Sequence, residues 1–298
     1  MQDTTAWVDA DGTAFSLNVV ADGALALQGV EGRFMPRIQL VEEEVPGQPG
    51  SRLREAKTLA REVALPILLS TATRDSGATL RTLVRQWLGR MNVDRGAGKL
   101  RVTASGGGVR ELSCYYAGGL ELVEGQGVGG KSYQKAVVVL RAVDPYWYDQ
   151  SDTAVTYVLD TSTTATFFPI FPLTLLSSTV LSSTSISFTD NDIASIAAWP
   201  RWAITGPGTD IVLRNITTGK RIALDTVLTA GQGIDIDTRP GAKTVKQSVS
   251  GANLYGDLST DSSLWPFVRG ANAVTIEMSG ATSASSVVLT YKKRYLGA

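Results

Sequence analysis

Apolar and polar residues alternate with a period of two along most of the chain. In the first half, Leu65-Ile67-Leu69 and Leu100-Val102-Ala104 put every second side chain on one face, which predicts strands. Val109 to Glu124, with Gly118-Gly119 between its arms, reads as a hairpin. Ala136 to Val143 is apolar on both faces, the pattern of a strand covered on both sides. In the second half Ile211-Leu213, Ile222-Leu224, Ile234-Ile236, Val245-Val249, Val274-Ile276-Met278 and Val287-Leu289-Tyr291 alternate in the same way, with turn residues such as Thr218-Gly219-Lys220 between them. That spacing predicts an antiparallel β-sandwich.

A single segment has helical spacing. From Thr79 to Met91 the apolar residues Leu80, Leu83, Val84, Trp87, Leu88 and Met91 recur three and four apart, and Asp75 or Ser76 can cap the start. Leu80, Leu83, Val84, Trp87 and Leu88 are the expected packing stripe of this helix. The fold class is therefore mainly β.

A length of 298 residues suits about two domains. Between Arg141 and Arg201 there is no basic residue, and the stretch is dense in Ser and Thr. The apolar run closed by Asp144-Pro145-Tyr146-Trp147-Tyr148 sets a junction near residue 150, giving domains 1–150 and 151–298. The second would open with a linker strand, and whether residues 161–188 pack within one subunit or across to the next stays open.

Composition then removes whole classes of chemistry. Hydrophobic residues at 43% and charged residues at 19% describe a folded chain rather than a disordered or collagen-like one. Lys and Arg number 28 against 28 Asp and Glu, so no net charge calls for a nucleic acid or an anionic membrane. There is no histidine, which rules out Ser-His-Asp and Cys-His catalysis and His-bearing zinc sites. One cysteine, Cys114, excludes an internal disulfide, and its expected place is the core. The residues from Met1 lack the basic and apolar regions of a signal peptide, and Phe167 to Leu173 is broken by two prolines. A soluble protein made in a cytoplasm, without membrane insertion, is expected.

Three motifs invite chemistry. Gly125-Gln126-Gly127-Val128-Gly129-Gly130-Lys131-Ser132 satisfies the P-loop pattern, which also needs a helix after it to face the phosphate. Ala136-Val137-Val138-Val139-Leu140 suits a strand instead, so a Gly-rich connection between antiparallel strands explains the letters better. Asp235 and Asp237 lie two apart on the polar side of a strand, where solvated face residues are expected. Trp199, Trp202 and Trp265 could stack on a sugar ring, although Trp202 also continues inward with Ile204. No catalytic residue, metal site or cofactor emerges.

Glu42, Glu43 and Glu44 end a strand-like run, Val45 to Gly50 is rich in Pro and Gly, and Arg52 and Arg54 follow. One reading is a solvated surface loop. The other is an inter-subunit arm, with Glu42, Glu43, Glu44, Arg52 and Arg54 pairing between copies in a head-to-tail ring.

A resemblance runs through Arg61-Glu62-Val63-Ala64-Leu65-Pro66-Ile67, the Leu80/Leu83/Trp87 helix, Gly98-Lys99-Leu100-Arg101-Val102, Gly119-Leu120-Glu121 and Asp144-Pro145-Tyr146-Trp147-Tyr148. It continues through Trp199-Pro200-Arg201-Trp202-Ala203-Ile204-Thr205-Gly206-Pro207, Leu213-Arg214-Asn215-Ile216-Thr217-Thr218-Gly219, Ile236-Asp237-Thr238 and Gly270-Ala271-Asn272. On these residues the chain resembles the siphovirus distal tail protein family, the hub at the tip of long flexible phage tails.

The resemblance implies two β-sandwich domains. The first would be tail-tube-like with one flanking helix and ring-forming; the second would be a peripheral galectin-like or jelly-roll-like sandwich. It implies a hexameric ring linking the tail tube protein to a tail-associated hub or fibre protein at the tail tip, assembled in the host bacterial cytoplasm. DNA would pass through the channel without being bound, and no enzymatic activity is implied. The alternative is a carbohydrate-binding sandwich for host-surface attachment, using Trp199, Trp202 or Trp265.

Overall fold

The alternation of the sequence is realised as antiparallel strands, with one α-helix among the described residues. The computed structural model describes residues 3–18, 24–44, 46–47, 49–71, 77–121, 133–158, 166–168, 171–174, 180–187 and 195–298. The chain divides into two units, residues 1–150 with 295–298, and residues 151–294. The last four residues thus group with the first unit rather than the second.

In the first unit one sheet runs in the order Arg294–Tyr295, Trp147–Asp149, Val109–Gly118, Gly98–Thr103, Thr4–Val8, Ala14–Ser16. A second runs Ala24–Ala26, Arg61–Ser70, Tyr133–Ala142 and meets the first at Val109–Gly118. That strand serves both sheets. Its first half pairs with Gly98–Thr103, and Tyr115 and Tyr116 pair with Arg141 and Leu140. The hairpin expected over Val109 to Glu124 is therefore displaced. Val109–Gly118 is one continuous strand, and its turn lies before it, where the Ala104 N–H donates to the Gly108 carbonyl at 2.8 Å. The glycine run Gly106-Gly107-Gly108 supplies the conformations this turn needs.

Arg61–Ser70 alternates buried and half-covered side chains along its length, placing Val63, Leu65, Ile67 and Leu69 in a core with Trp7, Leu100, Leu112, Leu140 and Trp147. The helix Gly77–Arg90 adds Leu80 and Trp87, with Leu83 and Val84 half-buried beside them. Leu88 departs from the expected stripe and is 45% exposed. At 3.6 residues per turn it stands about 100° round from Trp87, off the buried face, whereas Met91 returns to it. The proposed caps Asp75 and Ser76 lie outside the described residues.

The second unit is a sandwich. One sheet runs Thr153–Val158, Ser286–Tyr291, Arg201–Thr205, Gly233–Asp237, Thr244–Gln247; the other runs Val180–Ser187, Ala271–Ser279, Gly208–Asn215, Lys220–Leu228. Inward residues from both meet in a single core, among them Trp202, Ile204, Ile236 and Leu289 against Leu213, Leu224, Ile276 and Met278. The Ser/Thr-rich stretch after residue 150 contributes one edge strand to each sheet, since Thr153–Val158 pairs with Ser286–Tyr291 and Val180–Ser187 with Ala271–Ser279.

Candidate functional site

The segment singled out for its charges is a two-stranded hairpin, Ile38–Glu44 against Ser51–Thr58, and among the described residues it pairs with no other strand. Its acids and arginines face each other within the hairpin. Glu43 lies opposite Arg52 in register, Arg54 forms an ion pair with Glu43, and the Ser51 hydroxyl donates to Glu42. Within the single chain these charges have partners on the facing strand. The two runs of charge lie on adjacent strands, so the nearest opposite charge is intramolecular.

Both strands of the hairpin are exposed almost throughout, and the exposed residues include large apolar ones. Side chains alternate along a strand, so Ile38, Leu40 and, across from Glu42, Leu53 share one face. Leu40 and Leu53 are 55% and 56% exposed, and Phe34 and Met35, just before the hairpin, are also exposed. The alternation of Ile38 and Leu40 was the available signal for this face.

A second open face lies on the Arg61–Ser70/Tyr133–Ala142 sheet. Tyr115, Tyr133 and Val137 are exposed there, and Arg141 bonds Glu62 at 2.9 Å. The strand read as covered on both sides is covered on one side only in this chain. Its inward residues Val138, Leu140 and Ala142 are buried, while Val137 and Val143 stand open.

The remaining candidates resolve as structure. Trp202 and Trp265 are buried in the second core, at 1% and 0% exposure, which leaves no ring face for a sugar. Trp199 is half-buried, with the Lys243 ammonium 6.0 Å from its ring centroid. Asp237 receives hydrogen bonds from Arg239 Nε at 3.0 Å. Burial would raise its pKa, but the bonds from Arg239 outweigh that and hold the carboxyl below the usual range, the opposite of what a general acid needs. Asp235 is exposed beside it. Cys114 is fully buried, and burial pushes its thiol up to about 12.

The P-loop look-alike, residues 125–132, lies outside the described residues. The segment that follows it is the strand Tyr133–Ala142, so no helix N-terminus faces a phosphate there. Among the described residues no group of three or more His, Cys, Asp or Glu could hold a metal ion, and no helix is long and apolar enough to cross a membrane.

The sequence reading missed three buried charged groups, of which Asp9 accepts from the Thr13 N–H at 3.0 Å. Arg61, read only as part of a strand, is 2% exposed and bonded to backbone carbonyls. Glu111 is buried against Lys99 and Arg101 on the neighbouring strand. Glu111 has a visible signal in the Lys99-x-Arg101 alternation, whereas nothing in the letters marks Arg61.

The hairpin Ile38–Thr58 and one face of the Arg61–Ser70/Tyr133–Ala142 sheet are open surfaces in the single chain. Residues 194–295 match the family described as siphovirus-type tail component, C-terminal domain. The whole chain has the fold of the Dit protein of phage SPP1, a hub of the adsorption apparatus in phages infecting Gram-positive bacteria, with a TM-score of 0.65 at 14% identity, covering 98% of this chain and 99% of that one. Chains of the phage P2 baseplate in its activated conformation, with calcium and with strontium, align with TM-scores of 0.52 and 0.51 at 12% and 13% identity, covering 98% of each chain. No curated protein matches in sequence. Residues 194–295 thus resemble the siphovirus-type tail component C-terminal domain, and the likeness to SPP1 Dit over the full length is one of fold.

Proposed function

We propose that this chain is a structural subunit of a phage tail tip, a distal tail hub protein that closes with identical copies into a hexameric ring. The ring would join the tail tube protein to the tail-associated hub or fibre proteins of the baseplate and leave a channel through which DNA passes unbound. The protein would act without enzymatic activity, at the tail tip of a virion assembled in the host cytoplasm.

The observation that carries this reading is the hairpin Ile38–Thr58. A two-stranded hairpin is marginal by itself, and one that pairs with no other strand among the described residues and holds Ile38, Leu40 and Leu53 in solvent needs a covering surface. A neighbouring copy supplies one in a head-to-tail ring, because a heterologous contact closes when its rotation does. The open face around Tyr115, Val137 and Val143 supports the same conclusion. The balance of 28 basic and 28 acidic residues suits a conduit that releases DNA, since each cation placed on a phosphate adds affinity.

The test is negative-stain imaging with sedimentation at tens of micromolar. Rings of one size support the reading, and a strictly monomeric species overturns it.

A further inference from the structure

Arg61 is buried without an acid. Its Nε donates to the Pro145 carbonyl at 2.7 Å, and its Nη1 donates to the carbonyls of Gly32, Arg33 and Phe34 at 3.0, 2.9 and 2.6 Å. Its Nη2 donates to the Leu296 carbonyl. A guanidinium taken out of water is costly unless its donors are met, and here oriented carbonyl dipoles alone meet them. Burial lowers its pKa to about 10, which leaves it charged at neutral pH. None of these acceptors lies in a strand, so no sheet ladder would satisfy them in its place.

The carbonyls come from three separate segments, and two of them converge at one point. The Arg33 carbonyl also accepts from Trp147 Nε1 at 3.0 Å and from the Ala298 N–H at 3.3 Å. Arg110 holds the closing segment from the other side, donating to the Gly297 carbonyl at 2.7 Å with its guanidinium 4.0 Å over the Tyr295 ring. Gly297 lies so close to Phe34 that a Cβ there would come within 3.1 Å of its Cα. Gly32 has φ +81°, and a Cβ on it would meet the Glu62 carbonyl oxygen at 2.0 Å. Four residues beyond Phe34 the hairpin begins at Ile38. At its other foot, the Tyr146 hydroxyl donates to Thr58 Oγ1 at 3.2 Å and the Leu59 N–H to the Arg37 carbonyl at 2.9 Å.

We propose that Arg61 and the segment Tyr295–Ala298 form a clasp on Gly32–Phe34 that fixes the root of the Ile38–Thr58 hairpin, so that docking of this segment sets the direction of the arm. Arg61 is a positioning residue: it ties the returning segment and the arm's root to one guanidinium. A lysine would keep the charge but lose the planar fork that reaches several acceptors at once. The inference concerns one chain and holds whether or not copies associate.

Hydrogen exchange by mass spectrometry on dilute protein tests it, using a chain stopped after Arg294, Arg110→Ala and Arg61→Lys. The amides of Glu31 and Leu59, bonded to the Ala64 and Arg37 carbonyls at the arm's root, should exchange at least about tenfold faster in each variant. Trypsin should cut after Arg52, Arg54 and Lys57 faster by a similar factor, while amides of Gly98–Thr103 keep their wild-type rates. Wild-type exchange at Glu31 and Leu59 in the shortened chain and in Arg110→Ala overturns the clasp. Equal acceleration at Gly98–Thr103 also overturns it, because the segment would then stabilise the whole unit without directing the arm. Should the shortened chain fail to fold, Arg110→Ala decides alone, since it loosens the segment and leaves Arg61 in place.

Discussion

Trp202 meets Trp265 edge to face, with ring centroids 5.6 Å apart and planes at 70°. Phe267 and then Tyr291 continue the stack at 5.5 Å steps. Trp202 comes from a strand of the five-stranded sheet, whereas Trp265 and Phe267 come from the irregular segment before Ala271–Ser279. Phe267 is held there by exchanging backbone hydrogen bonds with Ala198. The rings fill the sandwich instead of facing solvent.

Removing either indole should therefore unfold the second unit, not cost it a ligand. Trp202→Ala and Trp265→Ala are each expected to destabilise that unit by about 3–5 kcal/mol, as a large cavity in a closed core does. Denaturant melts followed by tryptophan fluorescence would measure this. A loss under about 1 kcal/mol would mean that the rings are not core.

The exposed face of the hairpin makes the opposite prediction. Leu40→Asp with Leu53→Asp removes apolar surface that is open in the single chain, so stability should change by no more than about 0.5 kcal/mol. Self-association should be abolished, which light scattering after size exclusion reads directly. Persistent rings in the double variant would take the hairpin out of the interface.

The second sandwich was legible because its strands alternate cleanly: Ile204, Leu213, Ile236 and Ile276 each point where the period of two places them. The helix was legible from Leu80 and Trp87, and the nucleotide reading failed where the β-branched run Val137-Val138-Val139 forecast a strand. The strand expected after residue 150 is Thr153–Val158, whereas the bounds of Val180–Ser187 were hidden because Ser and Thr mute the alternation at sheet edges. The pairing of Glu43 with Arg54 depends on hairpin register, which a charge count along the chain cannot supply. Arg61 is the extreme case. All of its partners are main-chain carbonyls, so no side chain elsewhere in the sequence announces them.

Glu111 should give the first unit an acid-sensitive limb. Burial alone would raise its carboxyl, but Arg101 Nε at 2.9 Å and Lys99 Nζ at 3.0 Å bond and neutralise it, and its pKa falls below the usual range. A group depressed on folding stabilises the fold above its unfolded pKa, near 4.3, and loses that contribution as pH falls through the lower folded value. Glu111→Gln is expected to cost about 1–2 kcal/mol at pH 7, held down because Lys99 and Arg101 remain partly solvated. The gap between variant and wild type should be narrower at about pH 3 than at pH 7. A gap of the same size at both pH values would show that this ion pair does not set the acid limb.

Cys114 offers a native probe of the same sheet. It lies opposite Gly98 in register, is fully buried, and is the one cysteine of the chain, so any thiol signal reports this position. The thiolate is the reactive form, and burial pushes this thiol up to about 12, with a backbone hydrogen bond at Leu100 only partly offsetting the shift. An aromatic disulfide reagent at pH 8 should therefore label the native protein at least about a thousandfold more slowly than the unfolded chain, because the Gly98–Thr103 ladder must open first. The labelling rate should rise with denaturant at the slope of global unfolding for this unit. Stoichiometric labelling within minutes in plain buffer would mean that the two strands part locally, and the sheet could not then be the rigid frame on which the hairpin is mounted.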